Sequence, residues 1–173
     1  MTSGIIRKVD ELGRIVIPKE IRNILHLKED TPLEISLSGR RIVLDVYSPI
    51  PEFKQLSETF VRLMARDLHL PAAICSLDTI SYFNGFSLEG ERILSQDTQE
   101  LIQQQHSYLY TRDHPVYLTD SRSCLINALY PIGNRKNPLG AVVLIRKQDT
   151  DPLSEHKGIA RMMAAILTEL TKE

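Results

Sequence analysis

Cysteine is scarce in this chain of 173 residues: Cys75 and Cys124 are the only two. Two are too few for a disulfide framework, so both are expected to be thiols in a reducing compartment. No apolar run approaches the ~20 residues that span a bilayer, and the N-terminus shows no signal-peptide core. A cytoplasmic protein without a membrane partner is therefore expected. Surplus charge is missing as well. Lys and Arg number 21 against 22 Asp and Glu, a net charge of −1. Bulk charge gives no support for nucleic-acid binding, and any such reading must rest on local placement. Even residues 1–47 hold only eight Lys/Arg against seven Asp/Glu. Catalytic groupings are absent too. His26, His69, His106, His114 and His156 form no H-x-E, H-x₃-H or C-x-x-C pattern, and Ser76, Ser121 and Ser123 have no G-x-S-x-G setting. No enzyme, metal or cofactor is expected.

A hydrophobic content of 42% with 25% charged residues fits a globular protein, at a length suited to one ordinary domain or a small module plus a medium one. The densest information lies in Gly4 to Arg22, GIIRKVDELGRIVIPKEIR. Ile5 to Val9 and Arg14 to Ile17 alternate around Asp10-Glu-Leu-Gly13, and Gly13 suits the positive φ of a tight connection, so a β-hairpin is predicted. Pro18 suits the first position of a following helix to Leu25, with Ile21, Ile24 and Leu25 on one face. Arg7, Lys8, Arg14, Lys19 and Arg22 then form a basic set on a small scaffold, suited to phosphates and guanine edges. The competing reading pairs them with Asp10, Glu11 or Glu20 on a solvated surface. Leu33–Leu37 and Arg41–Tyr47 read as a second hairpin about Ser38-Gly-Arg40. Two hairpins and a two-turn helix leave apolar faces open, and such a unit needs a partner.

The run from Gly4 to Arg22 resembles the AbrB/SpoVT family of swapped-hairpin bacterial transition-state regulators, whose G-I-[IV]-R-[KR]-[IV]-D-x-L-G-R-[IV]-V-I-P-K-E-[IL]-R pattern it matches almost without interruption. The resemblance covers roughly the first fifty residues. It implies an intertwined homodimer whose strands interleave into one barrel, and double-stranded DNA as partner, bound by Arg7, Lys8, Arg14, Lys19 and Arg22. It departs from many relatives at Asn23, where a second arginine is common; an asparagine can still bond a base or phosphate. Family members of this length carry a GAF-type sensory domain after the DNA-binding domain. The resemblance then implies a homotetramer bridged by paired GAF domains and regulation of sporulation (forespore) genes.

Residues 1–50 and 51–173 are accordingly expected to be separate domains, joined at Tyr47-Ser-Pro-Ile-Pro-Glu52 by an extended connector. Beyond it, the periodicity predicts a helix over 53–70, strands over 72–77 and 80–83, a helix from near Ser87, and another over 96–108 capped by Ser95. A short strand over 116–118 follows, then a hairpin over 125–132 and 139–147. The final helix, 155–170, is capped by Ser154 or Asp151, with Ile159, Met162, Met163, Ile166, Leu167 and Leu170 inward. This order is α+β, a central antiparallel sheet flanked by helices. It resembles the GAF fold, which implies an unidentified small-molecule ligand; Cys75, Tyr82, His106 and Asn127 are candidate lining residues, although such residues on strands are more often core. The N-K-F-D-E cyclic-nucleotide signature is absent. Two alternatives stand beside the regulator: an antitoxin-type DNA-binding module, and a metabolite sensor whose N-terminal domain only dimerises.

Overall fold

The computed structural model describes residues 4–25, 27, 29, 31–88, 90, 92–147 and 154–172, with the side chains of 154 and 155 excluded; the expected caps Ser154 and Asp151, and His26, lie outside that description. The fold is mixed α and β with antiparallel sheets, and it divides between Tyr47 and Ser48 into two compact units.

The first unit holds α1 (Lys19–Ile24) and one two-stranded ribbon, β1 (Leu33–Ser38) with β2 (Arg41–Val46). Pro18 is the residue before the helix rather than its first, with ψ at 147°. Leu33 lies opposite Val46, Ile35 opposite Leu44 and Leu37 opposite Ile42, so three apolar pairs share one face of the ribbon. Among the described residues of this face Ile35, Leu37, Ile42 and Leu44 are all exposed. The strands expected over 5–9 and 14–17 do not form a ladder; only their connecting turn closes. A two-stranded hairpin that buries neither face is marginal in water, and among the described residues most of the apolar side chains of these arms stay exposed.

In the second unit, prolines at 49 and 51 start a 3₁₀ turn over Ile50–Phe53 instead of the extended connector, since a fixed φ suits the first residues of a helical turn. Ile50 is fully buried in the second unit's core. α2 (Lys54–Asp67) follows directly. The sheet comprises β3 (Ala72–Cys75), β4 (Ile80–Asn84), β5 (Tyr108–Leu109), β6 (Ile126–Gly133) and β7 (Pro138–Ile145), in the order β4-β3-β7-β6-β5 with every pair antiparallel. One face carries Ile74, Tyr130, Val142 and Leu144 against Val61 and Met64 of α2 and Met163 and Leu167 of α4 (Ser154–Leu170). The other carries Cys75, Leu129, Val143 and Ile145 against Leu94, Leu118, Cys124 and Ile102 of α3 (Gln96–Gln103). Period-two alternation with both faces covered explains why β6 and β7 are almost wholly apolar.

Three elements differ from expectation. Among the described residues no helix forms near Ser87; instead Ile93 bridges Thr79, and Arg92 and Leu94 exchange backbone bonds with Ile80 and Asp78 along the β4 edge. α3 stops at Gln103, because Gln105 adopts φ +55° and its side-chain amide donates to the carbonyls of Ile102 and Ile132. The chain is thereby turned onto the sheet, and Tyr108–Leu109 pairs with Leu129 and Ala128 as an edge strand. Residues 116–118 make a single bridge, Tyr117 to Leu125. Ser95 does cap α3: its Oγ accepts from Thr98 N–H at 3.3 Å and donates to Tyr117 C=O at 2.6 Å.

Cys75 is fully buried, and burial pushes its thiol far above the ordinary range, because an apolar interior disfavours the thiolate. Native Cys75 should therefore resist alkylation by iodoacetamide for hours and react within minutes in denaturing urea, read by mass spectrometry of the Cys75 peptide. Rapid native labelling would show that the β3–β7 seam opens freely.

Candidate nucleic-acid interface

Asp10 organises the turn between the two N-terminal arms. Its Oδ1 accepts the backbone N–H groups of Leu12 at 3.0 Å and Arg14 at 2.8 Å, while its backbone N–H donates to Arg14 C=O at 3.0 Å. Gly13 takes φ +76°, which an L side chain would strain, and donates to Asp10 C=O. The second carboxylate oxygen, Oδ2, accepts Nε–H of Arg14 at 2.7 Å. These contacts, the Arg14 backbone amide first and its guanidinium next, hold the Asp10 carboxyl below the usual carboxylate range. Both carboxylate oxygens are thus used, whereas the two terminal amino groups of Arg14 have no partner among the described residues.

Arg7, Lys8, Lys19, Arg22 and Asn23 are exposed or half-exposed positions of the same unit. Arg7 donates through Nη1 to its neighbour's carbonyl, Ile6, at 3.0 Å. Among the described residues none of Arg7, Lys8, Lys19 or Arg22 has an acidic partner within ion-pairing distance, so the expected competition from Glu11 and Glu20 is absent there. Among the described residues Arg14 alone of these five cations is paired. No residue of α1 is fully buried; Ile21 is half-buried, and Ile24 and Leu25 stay exposed.

The four candidate ligand-lining residues do not converge. Tyr82 packs on the α2 side of the sheet, where partial burial and the Glu58 carboxylate raise its hydroxyl's pKa. Cys75 faces the opposite side among apolar residues, Asn127 is buried in β6, and His106 is exposed at the turn after α3. Each sheet face carries its own cluster of buried apolar side chains among the described residues. No group of three or more metal-ligating side chains occurs among the described residues. Among those residues, too, no helix is long and apolar enough to cross a membrane.

Sequence reasoning places Asp10 in the connection between the arms and weighs its side chain only as a competitor for the basic set. The signal for its other role is nonetheless there: Asp followed three residues later by Gly is the spacing of a side-chain-capped turn. What the spacing alone does not give is that the second carboxylate oxygen engages Arg14.

Residues 6–54 match the family described as antidote-toxin recognition MazE, bacterial antitoxin. Stage V sporulation protein T of Bacillus subtilis is 32% identical over 162 residues, covering 91% of this chain and 91% of that protein. Transition state regulatory protein AbrB of the same organism is 50% identical over 48 residues, which is 28% of this chain and 50% of AbrB. The putative transition state regulator Abh is 46% identical over 46 residues, 27% of this chain and 50% of Abh. The likeness to stage V sporulation protein T thus runs through both units, and the other two stop with the first.

Proposed function

The chain belongs to the AbrB/SpoVT family, and from that premise we propose that it is a transcriptional regulator that binds double-stranded DNA as an oligomer and acts on sporulation genes. Four cations without carboxylate partners among the described residues, Arg7, Lys8, Lys19 and Arg22 on one short segment, carry the reading. Their placement answers the objection from net charge, because DNA senses the local field of a surface and not the protein's total.

The first unit works as a homodimer. The open face of Ile35, Leu37, Ile42 and Leu44, with the exposed Ile5, Ile6, Val9 and Val16 of the arms, is the surface a second copy would cover. Interleaved arms would also gain the strand partners they lack in one chain, closing a swapped-hairpin barrel. Dimerisation sets two copies of the basic set about a two-fold axis, as duplex DNA requires. The second unit is read as a GAF-like oligomerisation domain. Its five-stranded antiparallel sheet between α3 and the α2/α4 layer supports that reading, as does a stripe on α4. There Ile159, Met162, Ile166 and Leu170, expected inward, lie exposed at helical spacing while Met163 and Leu167 take the core. Pairing such stripes would give a tetramer with two DNA-binding dimers.

The match to a bacterial antitoxin family favours a second reading, a toxin-neutralising module. It ends at residue 54, and a second compact unit with its own core begins at Ser48. Co-purification of a stoichiometric toxin from the source cell would promote that reading.

Fluorescence anisotropy over a salt series tests the main proposal. Affinity for duplex DNA should fall steeply with salt, and each phosphate that Arg7→Ala/Arg22→Ala leaves unneutralised should remove about 0.9 from the slope of log K against log [salt]. Binding that ignores salt in both proteins would leave the first unit a dimerisation module.

A further inference from the structure

Arg14 differs from the other cations of the basic set in one respect: it is already ion-paired, Nε to Asp10 Oδ2 at 2.7 Å. We propose that Asp10 is a positioning residue that commits Arg14 to reading a guanine edge in the major groove, leaving phosphate contacts to the neighbours that have no carboxylate partner among the described residues. The inference rests on the DNA-binding reading above and assigns a division of labour within it.

Three observations lead there. The carboxylate is itself immobilised, because Oδ1 takes two backbone amides of the turn, so the guanidinium is anchored to the backbone and does not sweep solvent freely. Nε is consumed, which leaves the two terminal amino groups as a fork, and that fork matches O6 and N7 of guanine end-on. The partner's charge decides between ligands. A phosphate approaching Arg14 also approaches a carboxylate, and the paired guanidinium has little net charge with which to displace counterions. A guanine edge is neutral, so it receives both hydrogen bonds without meeting that repulsion. Arg7, Lys8, Lys19 and Arg22 have no such neighbour among the described residues and remain phosphate binders.

The test starts from duplexes that the full-length protein selects out of a randomised pool. These are resynthesised with 7-deazaguanine, which lacks the N7 acceptor but keeps Watson–Crick pairing and every phosphate. The wild-type protein should bind the substituted duplex about tenfold more weakly or worse. Arg14→Ala and Arg14→Lys should bind both duplexes equally, and Arg14→Ala should keep the wild-type salt slope, while Arg7→Ala lowers it by about 0.9 per phosphate. Asp10→Asn retains an oxygen for the turn amides but removes the charge. It should lose the discrimination while its salt slope steepens, because the released Arg14 becomes an ordinary cation. Collapse of the turn would instead lower affinity for both duplexes with no steepening, and that result would overturn the positioning role. Equal wild-type binding to the two duplexes, or a shallower slope in Arg14→Ala, would overturn the guanine assignment while leaving the regulator intact. Absence of any selected duplex would remove the regulator itself, and the inference with it.

Discussion

Ile35→Asp is expected to halve the mass of the assembly and to weaken DNA binding at least 100-fold, without unfolding either unit. Ile35 sits at the centre of the apolar ribbon face, opposite Leu44, and is 70% exposed within its own chain. A carboxylate there meets water in the isolated unit, so it costs that unit little. In the proposed dimer the same position would be buried in both copies, where an unpaired charge would cost several kcal/mol and the lost aliphatic burial about 1.5–3 kcal/mol more per side chain. The dimer cannot absorb both terms twice. Uncoupling two basic sets then removes the effective concentration that makes simultaneous binding strong, a factor of about 10²–10⁴. Sedimentation velocity gives the mass and anisotropy gives the affinity, with Ile35→Val as the conservative control. Met162→Glu provides the complementary cut. Met162 is exposed on the α4 stripe, so its charge should separate the second units and leave dimers that still bind DNA. A wild-type mass for Ile35→Asp would show that the ribbon face is not the interface.

The two halves of the molecule are legible in the sequence to different degrees, for a physical reason. β6 and β7 are near-continuous apolar runs bounded by a polar loop, and both faces of each strand are buried inside one chain. Local pattern and final environment therefore agree, and their bounds shift by only a residue or two. The N-terminal arms have an equally clear alternation, but among the described residues they form a turn without a ladder, so a local pattern alone does not say what its apolar face will meet. Periodicity misassigns the α4 stripe because it locates an apolar face without saying what covers it. Met162 and Met163 are adjacent, and only packing shows that the second is buried and the first exposed. Tyr108 reads as the end of a helix because nothing local marks Gln105, a non-glycine residue with positive φ held by its bonds to two carbonyls. At the interface, residue types are readable and partners are not. Arg14 belongs by type with Arg7 and Arg22, and its engagement by Asp10 sets it apart.

Gly140→Ala should destabilise the second unit by about 3 kcal/mol, a large share of the ~5–15 kcal/mol that holds a domain folded. Gly140 lies in β7, between β3 and β6, opposite Ile132 and fully enclosed. The space a methyl group would need is taken by the backbone carbonyl of Cys75, with Ser76 Cα at 3.3 Å behind it. β3 pairs with β7 in unbroken register up to Cys75 opposite Ala141, and the irregularity beside it lies in β4, where Ser81 is the extra residue. A side-chain end could rotate away from an added methyl, but a strand in the middle of a sheet cannot. To make room, β3 would have to withdraw from Ala141 and disturb the turn in which Ser76 N–H donates to Thr79 C=O at 2.9 Å. It would also disturb the Ser76–Ser81 hydroxyl pair at 2.7 Å. Overpacking of about 1–3 kcal/mol and a weakened ladder bond of ~1 kcal/mol together give the expected loss. Gly158 supplies the opposite sign. It is exposed inside α4 with nothing within 4 Å of an added Cβ, so Gly158→Ala should stabilise by about 0.5–1 kcal/mol through helix propensity alone. Urea unfolding at fixed protein concentration, which holds the contribution of assembly constant, should order the midpoints Gly158→Ala, wild type, Gly140→Ala from highest to lowest. A Gly140→Ala midpoint at the wild-type value would mean that the end of β3 moves freely, and that the seam between β3 and β7 is not the rigid centre of the unit.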